Sequence, residues 1–147
     1  DPIKNEMFVA EKGNGAYLNN SRIRVSKKKK LQDALVVTGG PKNSSKNREY
    51  IFSEFLKVSN EVHSPIRKFG SASLDMAYVA SGRFDGYWQR ELSYWDIAAG
   101  IIIIKEAGGF INIFGEDVKT PLKRNILASN GEIYDEMCDL IVKKNIE

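Results

Sequence analysis

The apolar residues of the chain fall into short strand-like runs and longer stretches at helical spacing, punctuated by glycine. Residues 6–10 and 16–25 read as strands on either side of Lys12-Gly13-Asn14-Gly15, where two glycines supply the positive φ angles of a tight connection. Ala34-Leu35-Val36-Val37-Thr38 reads as a buried strand stopped by Gly39-Gly40-Pro41. Over 45–60, Tyr50, Phe52, Phe55, Leu56 and Val58 lie mostly at helical spacing among charged residues, which predicts a helix. A short strand over 66–69 and a helix over 71–81, closed by Gly82, follow. A strand over 84–89 leads into a helix that ends at Ala107 before Gly108-Gly109. Its Ile101–Ile104 run favours a strand by propensity alone; the start signal at Ser93 and the Gly-Gly stop assign it to a buried helix. Strands over 110–114 and 126–129 precede a last helix over 132–145, with Ile133, Met137, Cys138, Ile141 and Val142 on one face. This alternation predicts one α/β domain over residues 1–147, a layered sandwich of helices on sheet.

Composition narrows the chemistry. With 42% hydrophobic and 28% charged residues, the chain is an ordinary globular one. The net charge of +3 is only mildly basic; it suits small anionic ligands and does not demand nucleic acid. A single cysteine, Cys138, excludes an internal disulfide and favours a cytosolic protein. A single histidine, His63, excludes a zinc cluster or Ser-His-Asp triad within the chain. No apolar run approaches the roughly 18 residues of a membrane span, so no membrane partner is expected.

Three stretches carry candidate chemistry. Ser93 and Asp96 stand three residues apart at the start of a helix, a variant of the capping box. The cap is the plainer reading; an Asp there can also face outward to a cation, although one carboxylate never makes a Mg²⁺ site alone. Gly70-Ser71-Ala72 opens another helix with open backbone N–H groups that suit an anion, with Arg67 and Lys68 just before it; Gly70 as a turn and Ser71 as a cap is the plainer reading. Lys27–Lys30 could meet nucleic-acid phosphates, yet a solvated loop is simpler. Asp1-Pro2-Ile3-Lys4 resembles the start of a metal-binding loop but sets a lysine where a second carboxylate is needed, which rules it out.

Taken together, Arg67-Lys68-Phe69-Gly70-Ser71-Ala72-Ser73-Leu74-Asp75-Met76-Ala77-Tyr78-Val79-Ala80-Ser81-Gly82, then Trp95-Asp96-Ile97-Ala98-Ala99-Gly100, then Glu106-Ala107-Gly108-Gly109 closely resemble the C-terminal half of the inositol monophosphatase family. The opening, Asp1-Pro2-Ile3 through Asn19, fits the stretch after that family's first metal-binding region. The resemblance implies the C-terminal lobe of the inositol monophosphatase/fructose bisphosphatase-like fold. It also implies Mg²⁺-assisted hydrolysis of a phosphate ester of inositol or a related polyol, in which the cations activate water and clamp the phosphate oxygens. Residue by residue, it makes Asp96 a catalytic metal ligand, and Arg67, Gly70, Ser71 and Ala72 substrate contacts.

Two departures matter. Where the family sets a substrate-binding Glu, seven residues before the metal Asp, this chain has Gln89; an altered polyol preference is expected. The family's remaining metal ligands belong to its N-terminal half, which is not in this chain. The expectation is therefore a lobe that is inactive alone, with a homodimeric parent. The competing expectation is a non-catalytic module that binds nucleic acid or protein through the same fold.

Overall fold

The computed structural model describes residues 1–42, 44–115 and 123–143. A three-stranded antiparallel sheet, β1 (Phe8–Glu11), β2 (Gly15–Leu18) and β3 (Ser21–Ile23), opens the chain. A four-stranded mixed sheet holds β4 (Val36–Thr38), β5 (Gly86–Ser93), β6 (Phe110–Phe114) and β7 (Lys123–Ser129), in the order β4-β5-β7-β6. β4 and β5 run parallel, whereas β7 lies antiparallel to both β5 and β6. The helices are α1 (Arg48–Glu61), α2 (Ala72–Ala80), α3 (Tyr94–Glu106) and α4 (Tyr134–Ile141).

Period-two alternation divides the larger sheet between two cores. Val37, Tyr87, Ile126 and Ala128 face α2 and α3, against Met76, Val79, Ile97 and Ile104. Val36, Trp88 and Leu127 face the opposite way, against Val58 of α1 and Met137 and Ile141 of α4. Ala16 and Ile23 of the small sheet join the first core, so α2 and α3 are covered on both sides. Each fully buried large side chain here contributes about 1.5–3 kcal/mol. At the centre Gly100 is required, because a Cβ there would lie 2.7 Å from the sulfur of Met76. That contact lets α3 approach α2 closely.

The predicted elements mostly form, with instructive differences. The single strand expected over 16–25 is two, because Asn19 and Asn20 adopt φ of 46° and 69° and turn the chain. Asparagine tolerates that region better than other non-glycine residues. Residues 66–69 give only an isolated bridge between Arg67 and Val37. The helix expected from 45 begins at Arg48 and buries Ile51, Glu54 and Val58, leaving Tyr50, Phe52, Phe55 and Leu56 outside. The strand expected over 84–89 starts at Gly86 and continues through a bulge to Ser93. The last helix ends at Ile141; residues 144–145 of the expected helix lie outside the described residues.

The Glu106-Ala107-Gly108-Gly109 stretch has a clear structural task. Glu106 reaches across to the first hairpin, where its carboxylate accepts the backbone N–H groups of Gly13 and Gly15, both at 2.9 Å. Those two bonds hold its carboxyl below the usual carboxylate range. Gly108, at φ 85°, ends α3 in the left-handed region. The start of the chain is equally local. Asp1 accepts the backbone N–H of Ile3 at 3.0 Å and the Tyr78 hydroxyl at 3.0 Å, and Lys4 donates to that hydroxyl.

Candidate active site

The parallel pair β4/β5 points its carboxyl ends the same way, the place where open α/β sheets receive ligands. Beyond Thr38 the chain passes Gly39, which lies against Gln89; a Cβ on Gly39 would collide with the Gln89 amide. Arg67 reaches the same edge by exchanging backbone hydrogen bonds with Val36 and Thr38, at 3.0 Å each, and its side chain is exposed. Three residues later Gly70 turns the chain at φ 92° in open space. Ser71 then caps α2, its Oγ accepting the Leu74 N–H at 3.5 Å. Ser71 and Ala72 are half-buried, and the helix end beside them carries the partial positive charge of unpaired N–H groups.

Asp96 occupies the first turn of α3 and turns back, its Oδ2 accepting the Ser93 N–H at 3.0 Å. That is the capping reading made concrete. It engages one carboxylate oxygen and leaves Oδ1 for another partner. Gln89 and Asp96 lie on either side of a bulge, because the pairing of β5 with β7 shifts register between Gln89 and Leu92. Glu91 sits in the bulge at φ 60°, a strained choice for a glutamate. Its N–H donates to Asn125 Oδ1 at 3.1 Å, and its carboxylate accepts from Ser45 Oγ at 2.9 Å and Asn47 Nδ2 at 3.0 Å. The bulge re-aims the strand, so that β5 carries Gln89 at the sheet and delivers Asp96 onto the following helix.

Sequence reasoning misses Tyr87, the residue that holds Gln89. It is fully buried, and its hydroxyl donates to Gln89 Oε1 at 2.6 Å. Burial first, then the charges of Asp75 in the first turn of α2 and Asp96 in the first turn of α3, push its ionisation far above the usual phenol range. One hydroxyl thus lies in the field of both helix starts and holds Gln89. A signal for it exists in the sequence: residues two apart on a strand share a face.

Asp75 is the second residue that sequence reasoning misses. It is 1% exposed, its Oδ1 meets no donor among the described residues, and burial pushes its carboxyl up to about 6. A raised carboxyl pKa means the fold holds the proton more tightly than the unfolded chain does. Its contribution is therefore complete below about pH 4 and lost as pH rises through about 6. From the ordinary 3.8 to about 6, that is about 3 kcal/mol. Asp75→Asn is expected to flatten this part of the stability curve and to be the more stable protein at pH 8, by about 1–3 kcal/mol. Urea denaturation at pH 4 and pH 8 measures it; equal losses at both values would show that Asp75 does not titrate in this range.

These elements define a layered α/β protein that has a helix end suited to anions at Ser71 and, at Asp96, a carboxylate with one oxygen outside the cap. The inositol monophosphatase family model matches residues 1–145, and the chain belongs to that family. It is 40% identical over 141 residues to an inositol-1-monophosphatase of Caulobacter vibrioides, covering 95% of this chain and 55% of the relative. It is 39% identical to the Nus factor SuhB of Pseudomonas aeruginosa, covering 96% of this chain and 52% of that protein. Among solved structures, the extragenic suppressor protein suhB of Bartonella henselae matches with a TM-score of 0.86 at 42% identity, over 99% of this chain and 55% of that one. The chain thus spans about half the length of the relatives it matches. The fold expected from sequence is the observed one.

Proposed function

We propose that this chain is the C-terminal lobe of a Mg²⁺-dependent phosphomonoesterase acting on inositol monophosphate or a related polyol phosphate. The observation that supports the reading is geometric: the buried Tyr87 hydroxyl holds Gln89 Oε1 at 2.6 Å, on the strand that runs into the helix carrying Asp96. In this reading the N–H groups of Ser71 and Ala72 and the Arg67 guanidinium receive the phosphate oxygens. Gln89 receives the leaving group. Asp96 keeps its helix capped through Oδ2 and offers Oδ1 to a metal ion.

A carboxylate oxygen is the donor type Mg²⁺ takes. The donor set is incomplete here: among the described residues no group of three His, Cys, Asp or Glu side chains could hold a metal. The remaining ligands would come from the upstream half, and when bound the ion would activate water and offset charge on the ester. The isolated chain is accordingly inactive in this proposal, and the parent is a homodimer in the cytosol. No helix among the described residues is long and apolar enough to cross a membrane.

Phosphate release from inositol 1-phosphate, measured with and without Mg²⁺ on the chain alone and on the protein carrying its upstream half, tests the reading. Mg²⁺-dependent turnover by the longer protein only is the expected result. Turnover by neither overturns it and favours the binding module, for which the exposed Lys27–Lys30 run supplies the phosphate contacts and a steep salt dependence of RNA binding is the signature.

A further inference from the structure

Tyr87 and Gln89 fix which atoms the candidate site presents to a leaving group. A buried phenol must place its proton on an acceptor, and the only bond of the Tyr87 hydroxyl among the described residues is to Gln89 Oε1, at 2.6 Å. Asp75 and Asp96 act on it electrostatically but do not bond to it. The negative surroundings keep the phenol protonated and therefore a donor. This orients the amide, with Oε1 turned inward to Tyr87 and Nε2 left over. Gly39 supports the arrangement from behind: a Cβ there would overlap both Oε1 and Nε2, so the amide packs on a residue with no side chain. Gln89 is half-buried, and its Nε2 has no partner among the described residues. Gln89 therefore presents its N–H donors outward, with Oε1 engaged by Tyr87.

Resting on the phosphatase reading, we infer that Gln89, held by Tyr87 as a positioning residue, selects phosphate esters whose leaving group brings a hydrogen-bond acceptor. Such an acceptor is a carbonyl, an ether oxygen or an unprotonated ring nitrogen. A hydroxyl both donates and accepts, so it is served by glutamine or glutamate alike. A carbonyl only accepts; glutamine serves it, and a glutamate in the same place repels it. Gln89→Glu makes that exchange with almost no change of shape, since Tyr87 still donates to one oxygen and the outward NH₂ becomes the other.

Glycerol 3-phosphate and dihydroxyacetone phosphate differ only in a hydroxyl or a carbonyl at the central carbon, and they are the probes. In the protein carrying the upstream half, the ratio of kcat/KM for the ketone over the alcohol is expected to fall about tenfold or more in Gln89→Glu. Tyr87→Phe frees Oε1, lets the amide turn end for end, and is expected to lower the same ratio about threefold. If Gln89→Glu abolishes turnover of both esters, Tyr87→Phe decides alone. An unchanged ratio in the active variants overturns the inference, as does a wild-type protein that hydrolyses the alcohol and refuses the ketone. A wild-type protein that hydrolyses no phosphate ester overturns the phosphatase reading itself.

Discussion

Asp96→Asn is expected to leave the fold standing and to remove hydrolysis. The two tasks of this side chain use different chemistry. As a cap, it needs only one oxygen to accept the Ser93 N–H, at 3.0 Å in the structure, and an asparagine carbonyl does the same. The lost charge at the helix start costs about 0.3–1 kcal/mol. As a metal ligand it needs an anionic oxygen, and an amide offers Mg²⁺ a far weaker donor with no charge to offset the cation. Metal ions stabilise developing charge by several kcal/mol, and about 4 kcal/mol corresponds to roughly a thousandfold in rate. In the protein with its upstream half, kcat/KM for inositol 1-phosphate should therefore fall about a thousandfold while thermal unfolding moves by about 1–3 °C. Asp96→Ala, lacking both functions, should match the activity loss and add about 1 kcal/mol of destabilisation. Full turnover by Asp96→Asn would leave Asp96 as a cap and nothing more.

What the sequence reveals here depends on the range of the interaction responsible. Alternation in Val36-Val37, Tyr87-Trp88 and Ile126-Leu127-Ala128 is local, and the two cores follow it residue by residue. The capping pair Ser93/Asp96 is likewise visible within four residues, which is why Asp96 is legible from sequence alone. The face of α1 is misleading for the opposite reason. Its aromatic residues look like a core stripe, but the helix turns Glu54 inward because Arg90, 36 positions away in sequence, waits on β5. No local pattern announces a buried glutamate. The bulge at Glu91 is hidden in the same way, since glutamate gives no signal for φ of 60° and the bonds that hold it come from Ser45, Asn47 and Asn125. In the sequence Gln89 is visible only as a departure from a family pattern. Its orientation depends on Tyr87 and Gly39, and Gly39 joins it only through the parallel pairing of β4 with β5.

Removing Glu54 is expected to be the most destabilising single change on the α1/α4 side of the sheet. Glu54 is 1% exposed and receives both Nε of Arg90, at 2.7 Å, and its Nη2. Arg90 also donates to the Tyr50 hydroxyl and the Ile141 carbonyl, both at 3.3 Å, with its guanidinium 4.8 Å from the ring centres of Tyr50 and Phe114. One side chain thus joins α1, α4, β5 and β6. Glu54→Ala strands a cation that has surrendered most of its water, and breaking such a pair from one side costs about 3–5 kcal/mol. For a chain of this size that corresponds to a fall of about 10 °C in Tm. The pair taken as a whole need not be stabilising, because desolvating two charges offsets much of their attraction. Glu54→Leu combined with Arg90→Met should therefore recover most of the loss. A double-mutant cycle read by urea denaturation gives the coupling, which should exceed about 2 kcal/mol. A coupling near zero would mean that the two charges are solvated independently. Arg90 stands between Gln89 and the bulge at Glu91, so loosening it should also disturb the strand that presents Gln89. Native-state hydrogen exchange would register this as faster exchange at residues 88–92 in Glu54→Ala, restored in the double variant.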